Sequence, residues 1–164
     1  MIIILMGVSG SGKTTIGSLL ARELNWPFYD GDDFHPQVNI EKMNQGAALT
    51  DDDREPWLNS IRQLIERHVS KGGSAVIACS ALKKSYRKIL AEGLREVRFV
   101  FLKGDYELIK ARLENRPKHF FEKGLLKNQF EVLEEPENAL SVDISLEPIE
   151  IVNTIKKELI LSLS

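Results

Sequence analysis

Short apolar runs alternate along the chain with longer segments in which apolar residues recur every three or four positions. The runs lie at Ile2–Met6, at Phe28–Tyr29, within residues 74–80 and 97–104, and more weakly at Val142–Ile144. A short run rich in branched aliphatic side chains is typical of a strand that is buried on both faces. The pattern therefore predicts five strands.

Amphipathic helices are predicted between and after these strands, because their apolar positions follow the spacing of one helix face. They cover Lys13–Leu24, Pro36–Asn44, residues 57–69, 83–92, 105–116 and 125–133, and a final segment from Pro148 onward. Parallel strands need such crossovers, and right-handed crossovers place helices on both faces of a sheet. We therefore expect an α/β protein with a three-layer α/β/α fold and a five-stranded parallel sheet. No repeat or long linker divides it, so residues 1–164 are expected to form a single domain.

A proline helps to locate the start of the helix that contains Trp57. Proline lacks an amide hydrogen and is tolerated in the first turn of a helix. Pro56 therefore predicts an N-cap between Asp52 and Glu55. This start places Arg54 at the mouth of the helix, while Trp57 is expected to lie in the core.

Composition narrows the functional classes. Hydrophobic residues make up 43% of the chain and charged residues 28%, as in ordinary soluble domains. The formal net charge is -2 and no segment concentrates lysine and arginine, so no nucleic-acid partner is expected. The single cysteine, Cys79, excludes an internal disulfide and a cysteine-rich zinc site. The apolar N-terminal run is shorter than a signal core or a membrane span, so we expect a cytoplasmic protein without a membrane partner.

Residues 7–14, GVSGSGKT, match the phosphate-binding pattern G-x-x-x-x-G-K-[ST] in full, between a predicted strand and a predicted helix. Glycines let the backbone fold around phosphate oxygens, so that amide groups and a helix N-terminus face the anion. Lys13 is expected to bridge the β- and γ-phosphates, and the Thr14 hydroxyl to hold Mg²⁺. The predicted nucleotide-binding residues of this loop are Gly7, Ser9, Gly10, Ser11, Gly12, Lys13, Thr14 and Thr15.

The carboxylates that would bind a metal ion and accept a proton are expected outside the phosphate loop. The chain has no N-K-x-D segment of the kind that reads guanine in GTPases. The strand predicted within residues 74–80 ends in Cys79 and Ser80, where motor ATPases usually place a carboxylate. The acidic segment 30–33, DGDD, follows the second predicted strand, and ligands of such sheets bind at the carboxyl ends of the strands. This segment and the phosphate loop are therefore expected to share one crevice.

A calcium-binding loop is a competing explanation of the acidic segment. Asp30, Asp32 and Glu41 fall at positions one, three and twelve of the EF-hand pattern. Phe34 and His35, however, stand where that loop needs an oxygen ligand and a glycine. The explanation therefore fails.

Six segments together resemble the P-loop gluconokinases, in the wider group of shikimate and nucleoside-monophosphate kinases. They are GVSGSGKTT, DGDDFHPQVNIEKM, LTDDDREPWL, CSALKKSYR, FLKGDYELIKARL and HFFEKGLLKNQFEVLEEP, in the family's order. They cover most of residues 1–148, and the middle segments are specific to gluconokinases. The resemblance implies a kinase that uses ATP and Mg²⁺ to phosphorylate D-gluconate at its terminal hydroxyl.

On the acceptor side, the resemblance implies that Asp30 helps to hold Mg²⁺ through water and that Asp32 accepts the proton of the substrate hydroxyl. Arg54 would pair with the carboxylate of the sugar acid. The far side of the acceptor pocket would be lined by Lys83, Lys84 and Arg87. The implied substrate-binding set is Asp30, Asp32, His35, Arg54, Lys83, Arg87 and His119.

On the phosphate side, the resemblance implies a mobile lid at about residues 116–124. Arg112, Arg116 and the segment PKHFF would close over the phosphates, and Asp143–Pro148 would border the adenine. The implied catalytic residues are Lys13, Asp32 and Arg116, and the implied metal-binding residues are Thr14 and Asp30. The sequence itself does not give the oligomeric state, but members of the family it resembles are often dimers, so the resemblance allows a homodimer.

Several of these residues also have a structural explanation. Asp30 and Asp32 stand where aspartates form turns, and Asp33 is expected to be a cap or a surface residue. For His35, substrate binding and packing against the next helix both stay open, and the basic residues of 83–87 also match a solvated helix face. Two other functions stay open too: a shikimate or adenylyl-sulfate type kinase, and a nucleotide-binding regulatory module.

Overall fold

The computed structural model describes residues 1–116 and 123–161, with the backbone alone at Lys123. The strands are β1 (Ile2–Met6), β2 (Phe28–Asp30), β3 (Ala75–Ala78), β4 (Val97–Lys103) and β5 (Leu140–Asp143). The helices are α1 (Lys13–Leu24), α2 (Gln37–Asn44), α3 (Asp51–Ser70), α4 (Lys84–Ala91), α5 (Tyr106–Glu114), α6 (Lys123–Val132) and α7 (Pro148–Leu159). A 3-10 helix, Gly31–Phe34, follows β2 directly. Within these described ranges, no helix is long and apolar enough to cross a membrane.

The described strands form one parallel sheet with the spatial order β2-β3-β1-β4-β5. The central strand is β1, in which Ile4 pairs with Ile77 of β3 on one side and with Phe99 of β4 on the other. Every residue of β1 is fully buried, as the middle strand of a sheet covered on both faces requires. The predicted three-layer fold is therefore confirmed.

Neighbouring residues of β1 enter different cores, because successive side chains of a strand point to opposite faces. Ile3 lies in a core with residues of α1 and α7, including Ile16. Ile4 lies in a second core with residues of α3 and α4, including Ile61 and Leu90. These two cores hold the carboxyl ends of β1, β2 and β3 in place, and the candidate site lies there.

Helix α3 begins earlier than its proline predicts, so the N-cap predicted within residues 52–55 is wrong. Thr50 is the N-cap: its hydroxyl accepts a hydrogen bond from the Asp53 amide, and the Asp53 carboxylate accepts one from the Thr50 amide. This capping box stabilises the first turn, and Pro56, having no amide hydrogen, leaves the carbonyl of the exposed residue Asp52 without its helical donor. Arg54 still lies in the first turn of the helix, as expected.

Candidate active site

Two adjoining cavities form a crevice at the carboxyl ends of the strands. The first, of about 260 Å³, is lined by the phosphate loop together with Asp30, Asp32 and Arg116. The second, of about 280 Å³, is lined by residues of the 3-10 helix, α3 and α6, and it has a size suited to a small molecule. Ser9, Lys13 and Asp32 line both cavities. The phosphate loop and the acidic segment therefore share one crevice, and we refer to its two cavities as the phosphate side and the acceptor side, after the roles predicted for them.

The phosphate loop leaves the N-terminus of α1 open to an anion. Gly12 is the N-cap of α1 in a left-handed conformation, with φ of 96°, and no side chain of the described residues caps the first amides of the helix. Gly10 also has a positive φ, 81°, which glycine adopts without strain. The Ser11 hydroxyl is buried and finds no hydrogen-bond partner among the described residues. Open amides and an orphaned hydroxyl fit the phosphate groups of a nucleotide.

Lys13 lies between the two cavities. Its ammonium group donates hydrogen bonds to the carbonyls of Gly7, at 2.9 Å, and of Val8, at 3.0 Å. Burial lowers the pKa of Lys13 below its ordinary value, while the carboxylates of Asp32 and Asp30 act in the opposite direction. Its contacts with loop carbonyls, and not with a carboxylate, keep the ammonium group beside the space that phosphates would occupy.

Thr14 and Asp30 bring hard oxygen atoms to the phosphate side. The Thr14 hydroxyl donates to Oδ2 of Asp30 at 3.0 Å, and the Asp32 amide donates to Oδ1 of Asp30 at 3.0 Å. Among residues 1–116 and 123–161, no cluster of three or more histidine, cysteine or acidic side chains forms a metal cage. One hydroxyl and one carboxylate fit Mg²⁺, which typically takes few protein ligands and completes its shell with phosphates and water.

Asp32 faces the crevice with its carboxylate, which accepts no hydrogen bond within the described part of the chain. Desolvation within the crevice and the neighbouring Asp30 raise the pKa of Asp32 above its ordinary value of 3.8, although the residue as a whole is exposed, and Lys13 partly offsets this rise. Gly31 holds the aspartates close to the sheet, because a Cβ there would lie 2.5 Å from the Ala78 carbonyl oxygen. The arrangement offers an unpaired carboxylate beside the phosphate side, as a general base requires.

Arg54 lines the acceptor cavity and is held by two oxygens. Its Nη1 donates to the Leu49 carbonyl at 2.6 Å and to the Tyr86 hydroxyl at 3.1 Å, and the guanidinium carbon lies 5.5 Å from the Tyr86 ring centroid. The Tyr86 hydroxyl in turn donates to Asp51. Lys83 pairs with Asp51 at 3.0 Å, so its charge is taken up in this network. A guanidinium held in this way can present its other N–H groups to a carboxylate.

His35 lies against the wall of the acceptor cavity. Its ring stacks on Trp57 with the centroids 4.2 Å apart and the planes 14° apart. The Trp57 indole donates to the Gly31 carbonyl at 2.7 Å, which fixes the surface on which His35 rests. Trp57 is buried, as expected, and it also lines the cavity.

Arg87 and Lys84 lie outside the crevice. The Arg87 guanidinium donates to the carbonyls of Ala81, Leu82 and Glu134, and so ties α4 to the segment after α6. Arg87 and Lys84 line a separate cavity beside Glu134. The structure therefore does not bring the predicted basic set into the acceptor cavity, because backbone carbonyls and an ion pair occupy Arg87 and Lys83.

The predicted lid residues are only partly described. Arg116 lines the phosphate-side cavity, and Thr15 lines it as well. Arg112 instead donates to the Ile144 carbonyl at 2.6 Å, which ties α5 to the segment after β5. His119 and most of the predicted lid at 116–124 lie outside the described residues.

Three residues that sequence reasoning did not single out take part in the site. Gln129 of α6 accepts a hydrogen bond from the Ser9 amide at 2.7 Å and donates to the Ser9 hydroxyl at 3.0 Å, so it reaches the phosphate loop directly. Tyr86 holds Arg54, and Asn39 contacts His35. Asn39 carries a weak signal, since it follows His35 by one helical turn, but no local pattern marks Gln129 or Tyr86.

Comparison with known proteins adds an independent line of information. A family model described as shikimate kinase matches residues 9–157. The thermosensitive gluconokinase of Escherichia coli (strain K12) is 52% identical to this chain over 134 residues, which cover 82% of this chain and 72% of that protein.

Two crystal structures are similar to this fold over nearly the whole chain. A gluconokinase from Sinorhizobium meliloti 1021 has a TM-score of 0.83 and 43% identity, covering 92% of this chain and 86% of that one. A sugar kinase from Janibacter sp. HTCC2649 has a TM-score of 0.88 and 40% identity, covering 95% of this chain and 92% of that one.

Proposed function

The chain belongs to the gluconokinase family, and on that basis we propose that it phosphorylates D-gluconate at the terminal hydroxyl with ATP as donor. One observation carries the proposal beyond family membership. The Asp32 carboxylate, which has no hydrogen-bond partner in residues 1–116 and 123–161, lies on the wall shared by the phosphate-side and acceptor-side cavities, and Arg54 lines the acceptor side. A sugar acid needs both groups: a base for its hydroxyl and a cation for its carboxylate.

In the proposed reaction, the hydroxyl oxygen of the acceptor forms a bond to the γ-phosphorus of ATP while the bond to the β–γ bridging oxygen breaks. Asp32 takes the hydroxyl proton, and ADP leaves with the electron pair of the broken bond. A raised pKa makes Asp32 a stronger base than an ordinary aspartate.

Residues on the phosphate side of the crevice would neutralise the negative charge of the transferred phosphoryl group. Lys13 and Arg116 would neutralise the phosphoryl oxygens, and the amides at the start of α1 would hold the adjacent phosphates. Mg²⁺, held by Thr14 and Asp30, would supply further charge neutralisation at the phosphate oxygens. Phosphoryl transfer depends mainly on such positioning and charge, so these residues account for most of the expected rate enhancement.

Arg54 would select an acceptor that carries a carboxylate. Its Nη1 is engaged by Leu49 and Tyr86, while the guanidinium keeps further N–H donors for a ligand in the acceptor cavity. Arginine suits this task because its planar donor fork matches a carboxylate. The proposed acceptor is therefore a small hydroxy acid with a carboxylate at one end and the reacting hydroxyl at the other.

A coupled assay of ADP release tests the proposal. D-gluconate, shikimate and adenylyl sulfate are supplied in parallel with Mg·ATP to the same preparation. We expect sustained turnover with gluconate and little with the other two acceptors. Turnover with shikimate or adenylyl sulfate alone would reassign the acceptor, and ATP binding without any turnover would indicate a regulatory module. Light scattering of the same preparation would test whether the chain forms a homodimer.

A further inference from the structure

His35 and Asn39 form a buried polar pair at the wall of the acceptor cavity. Asn39 lies on α2 and is just 1% exposed. Its amide nitrogen is 2.8 Å from the carbonyl oxygen of Asp53 and 3.3 Å from Nδ1 of His35. One side-chain NH₂ group therefore serves two partners, one on α3 and one beside the cavity.

These contacts determine the orientation of the Asn39 amide. A backbone carbonyl accepts hydrogen bonds and never donates them, so the Asn39 nitrogen must face Asp53. The reversed amide would place its oxygen against the Asp53 carbonyl oxygen. Even in the observed orientation, Oδ1 of Asn39 is buried without a hydrogen-bond partner among the described residues. Because buried polar groups are usually paired, this orphaned oxygen indicates that the two donor contacts hold the side chain in place.

The same orientation determines the tautomer of His35. An amide NH₂ group donates and does not accept, so Nδ1 of His35 must be the acceptor. The proton of the neutral ring then resides on Nε2. Stacking on Trp57, which is itself fixed by the Gly31 carbonyl, holds the ring in its plane.

The surroundings also keep the ring uncharged. Burial and the neighbouring Arg54 lower the pKa of His35 to about 4. Among the described residues, the other charged groups that line the cavity are Lys13 and Asp32, on the side where the phosphoryl group would be transferred. Because Nδ1 already accepts a hydrogen bond from Asn39 and the ring is neutral, His35 can interact with a ligand by donating a hydrogen bond from Nε2.

We propose that Asn39 is a positioning residue that holds His35 as the neutral Nε2–H tautomer, so that His35 donates a hydrogen bond to an oxygen of the acceptor and takes no part as acid or base. The inference rests on the proposed function for the identity of the acceptor, a hydroxylated acid. The tautomer itself does not depend on that function. An oxygen of the sugar acid that meets His35 gains a fixed donor, whereas an acceptor without an oxygen there would leave the N–H unpaired, which is costly in a closed site.

Nitrogen NMR of the imidazole rings tests the tautomer directly. The chain has three histidines, His35, His68 and His119, and the signals of His35 are those lost in His35→Gln. In the unsubstituted protein we expect a protonated Nε2 and an unprotonated Nδ1 throughout pH 6–8. A ring protonated on Nδ1, or on both nitrogens at pH 7, would overturn the proposal without recourse to any variant.

Substitution of Asn39 tests the positioning role. Asn39→Ala should release the ring to a mixture of tautomers, and Asn39→Asp should favour a proton on Nδ1, because a carboxylate accepts where the amide donated. Asn59→Ala, an exposed position on α3, serves as a matched control that should leave the spectrum unchanged. A spectrum of Asn39→Ala identical to that of the unsubstituted protein would show that Asn39 does not set the tautomer. If Asn39→Ala fails to fold, the spectrum of Asn39→Asp decides the point.

Kinetics test the donor role. Loss of one neutral hydrogen bond should raise the KM for gluconate roughly 3- to 10-fold in His35→Ala and Asn39→Ala, with the KM for ATP unchanged. His35→Gln, which keeps an N–H donor, should recover most of the loss. Equal losses in His35→Gln and His35→Ala would overturn the donor role. Absence of gluconate turnover in the unsubstituted protein would instead refute the proposed function, and with it the donor role, while the spectra would still decide the tautomer.

Discussion

Three carboxylates lie at the end of β2 and in the 3-10 helix after it, and their neighbours give each a different role. Asp30 is occupied by the Thr14 hydroxyl and the Asp32 amide. Asp32 keeps its carboxylate unpaired among the described residues and faces both cavities. Asp33 is exposed and lines neither of them, in agreement with the expected surface position. Adjacent residues of one type thus differ because the 3-10 helix turns their side chains to different surroundings.

Asp32→Asn should lower kcat about 10²- to 10⁴-fold, because the amide cannot accept the hydroxyl proton. In the unsubstituted protein, kcat/KM should rise as the pH rises through the pKa of Asp32, which lies above 3.8, and then level off. Initial-rate measurements across pH check both effects, with Asp33→Asn as the matched control. Near-normal turnover of Asp32→Asn would remove Asp32 from the role of base.

The stability of Asp32→Asn should move in the opposite direction. The pKa of Asp32 is raised on folding, so the folded state binds its proton more tightly than the unfolded chain does. The stability that this proton binding contributes is present below the ordinary pKa and is lost as the pH rises through the raised value. At pH 7, above the ordinary pKa, the desolvated carboxylate therefore reduces stability, and the neutral amide should raise Tm, by only a small amount because Asp32 is exposed and its charge is screened by solvent. A lower Tm of the variant at pH 7 would contradict a raised pKa of Asp32 in the folded state.

Arg54→Ala should raise the KM for gluconate roughly 10- to 100-fold, the range expected for loss of a hydrogen-bonded charge, and leave the KM for ATP unchanged. Arg62→Ala is a suitable control, because Arg62 lies on the same helix and donates to carbonyls at the end of α4 without lining the crevice. Steady-state kinetics with each substrate varied separately give both constants. A rise confined to the KM for ATP would show that Arg54 does not bind the acid.

At the scale of elements, α3 connects the crevice to α4. The capping box of Thr50 and Asp53 starts the helix early enough to place Asp51 beside Tyr86 of α4. Hydrogen bonds from Tyr86 and Lys83 lower the pKa of Asp51, so this carboxylate stays ionised and keeps the Tyr86 hydroxyl oriented. The hydroxyl oxygen is then free to accept from Arg54. The first turns of α3 and α4 together therefore position the Arg54 guanidinium.

Tyr86→Phe should weaken gluconate binding without affecting the rate of phosphoryl transfer. Loss of one hydrogen bond to Arg54 should raise the KM for gluconate roughly 2- to 10-fold, with kcat and the KM for ATP little changed. Tyr29→Phe is the matched control, because the Tyr29 hydroxyl is bonded to His68 and lies outside both cavities. Similar KM values for the two variants would show that Tyr86 does not position Arg54.

At the scale of the whole molecule, the order of the strands brings the site together. The central β1 delivers the phosphate loop, and β2 carries the aspartates to the same edge of the sheet from two positions away. From the opposite side, Gln129 of α6 closes on Ser9 of the loop. A nucleotide bound there would contact elements from distant parts of the chain, and its binding should therefore stabilise the whole fold.

Mg·ATP at about 100 times its Kd should raise Tm by about 5–10 °C. Lys13→Met should lose most of this increase, because the ammonium group that meets the phosphates is gone. Lys71→Met, at the exposed end of α3, should keep it. Differential scanning fluorimetry with and without the nucleotide measures the shift, and equal shifts in the two variants would contradict the role of Lys13.

Sequence patterns predicted the fold well because local backbone preferences and the burial of apolar side chains largely determine where strands and helices form. The five strands lie within one or two residues of their predicted positions, since apolar runs have few alternatives to a covered parallel sheet. The start of α3 was predicted wrongly from Pro56, because the capping box at Thr50 starts the helix at Asp51 and packing of the apolar face of α3 helps to offset the cost of a proline beyond the first turn. When a capping residue and a proline favour different helix starts, their relative free energies decide where the helix begins, and the sequence pattern does not give those energies.

The sequence by itself determined the phosphate loop and the acidic segment beside it, because both are built from residues adjacent in the chain. Only the tertiary structure decided which side chains meet across it. Arg54 donates a hydrogen bond to the Tyr86 hydroxyl, 32 residues away in the sequence. Arg87 instead donates to the Glu134 carbonyl, 47 residues away, and therefore lies outside the crevice. Each of these groups has several possible partners, and packing of the helices brings just some of them within hydrogen-bond distance. That choice depends on the whole fold, and so it cannot be derived from the spacing of residues along the chain.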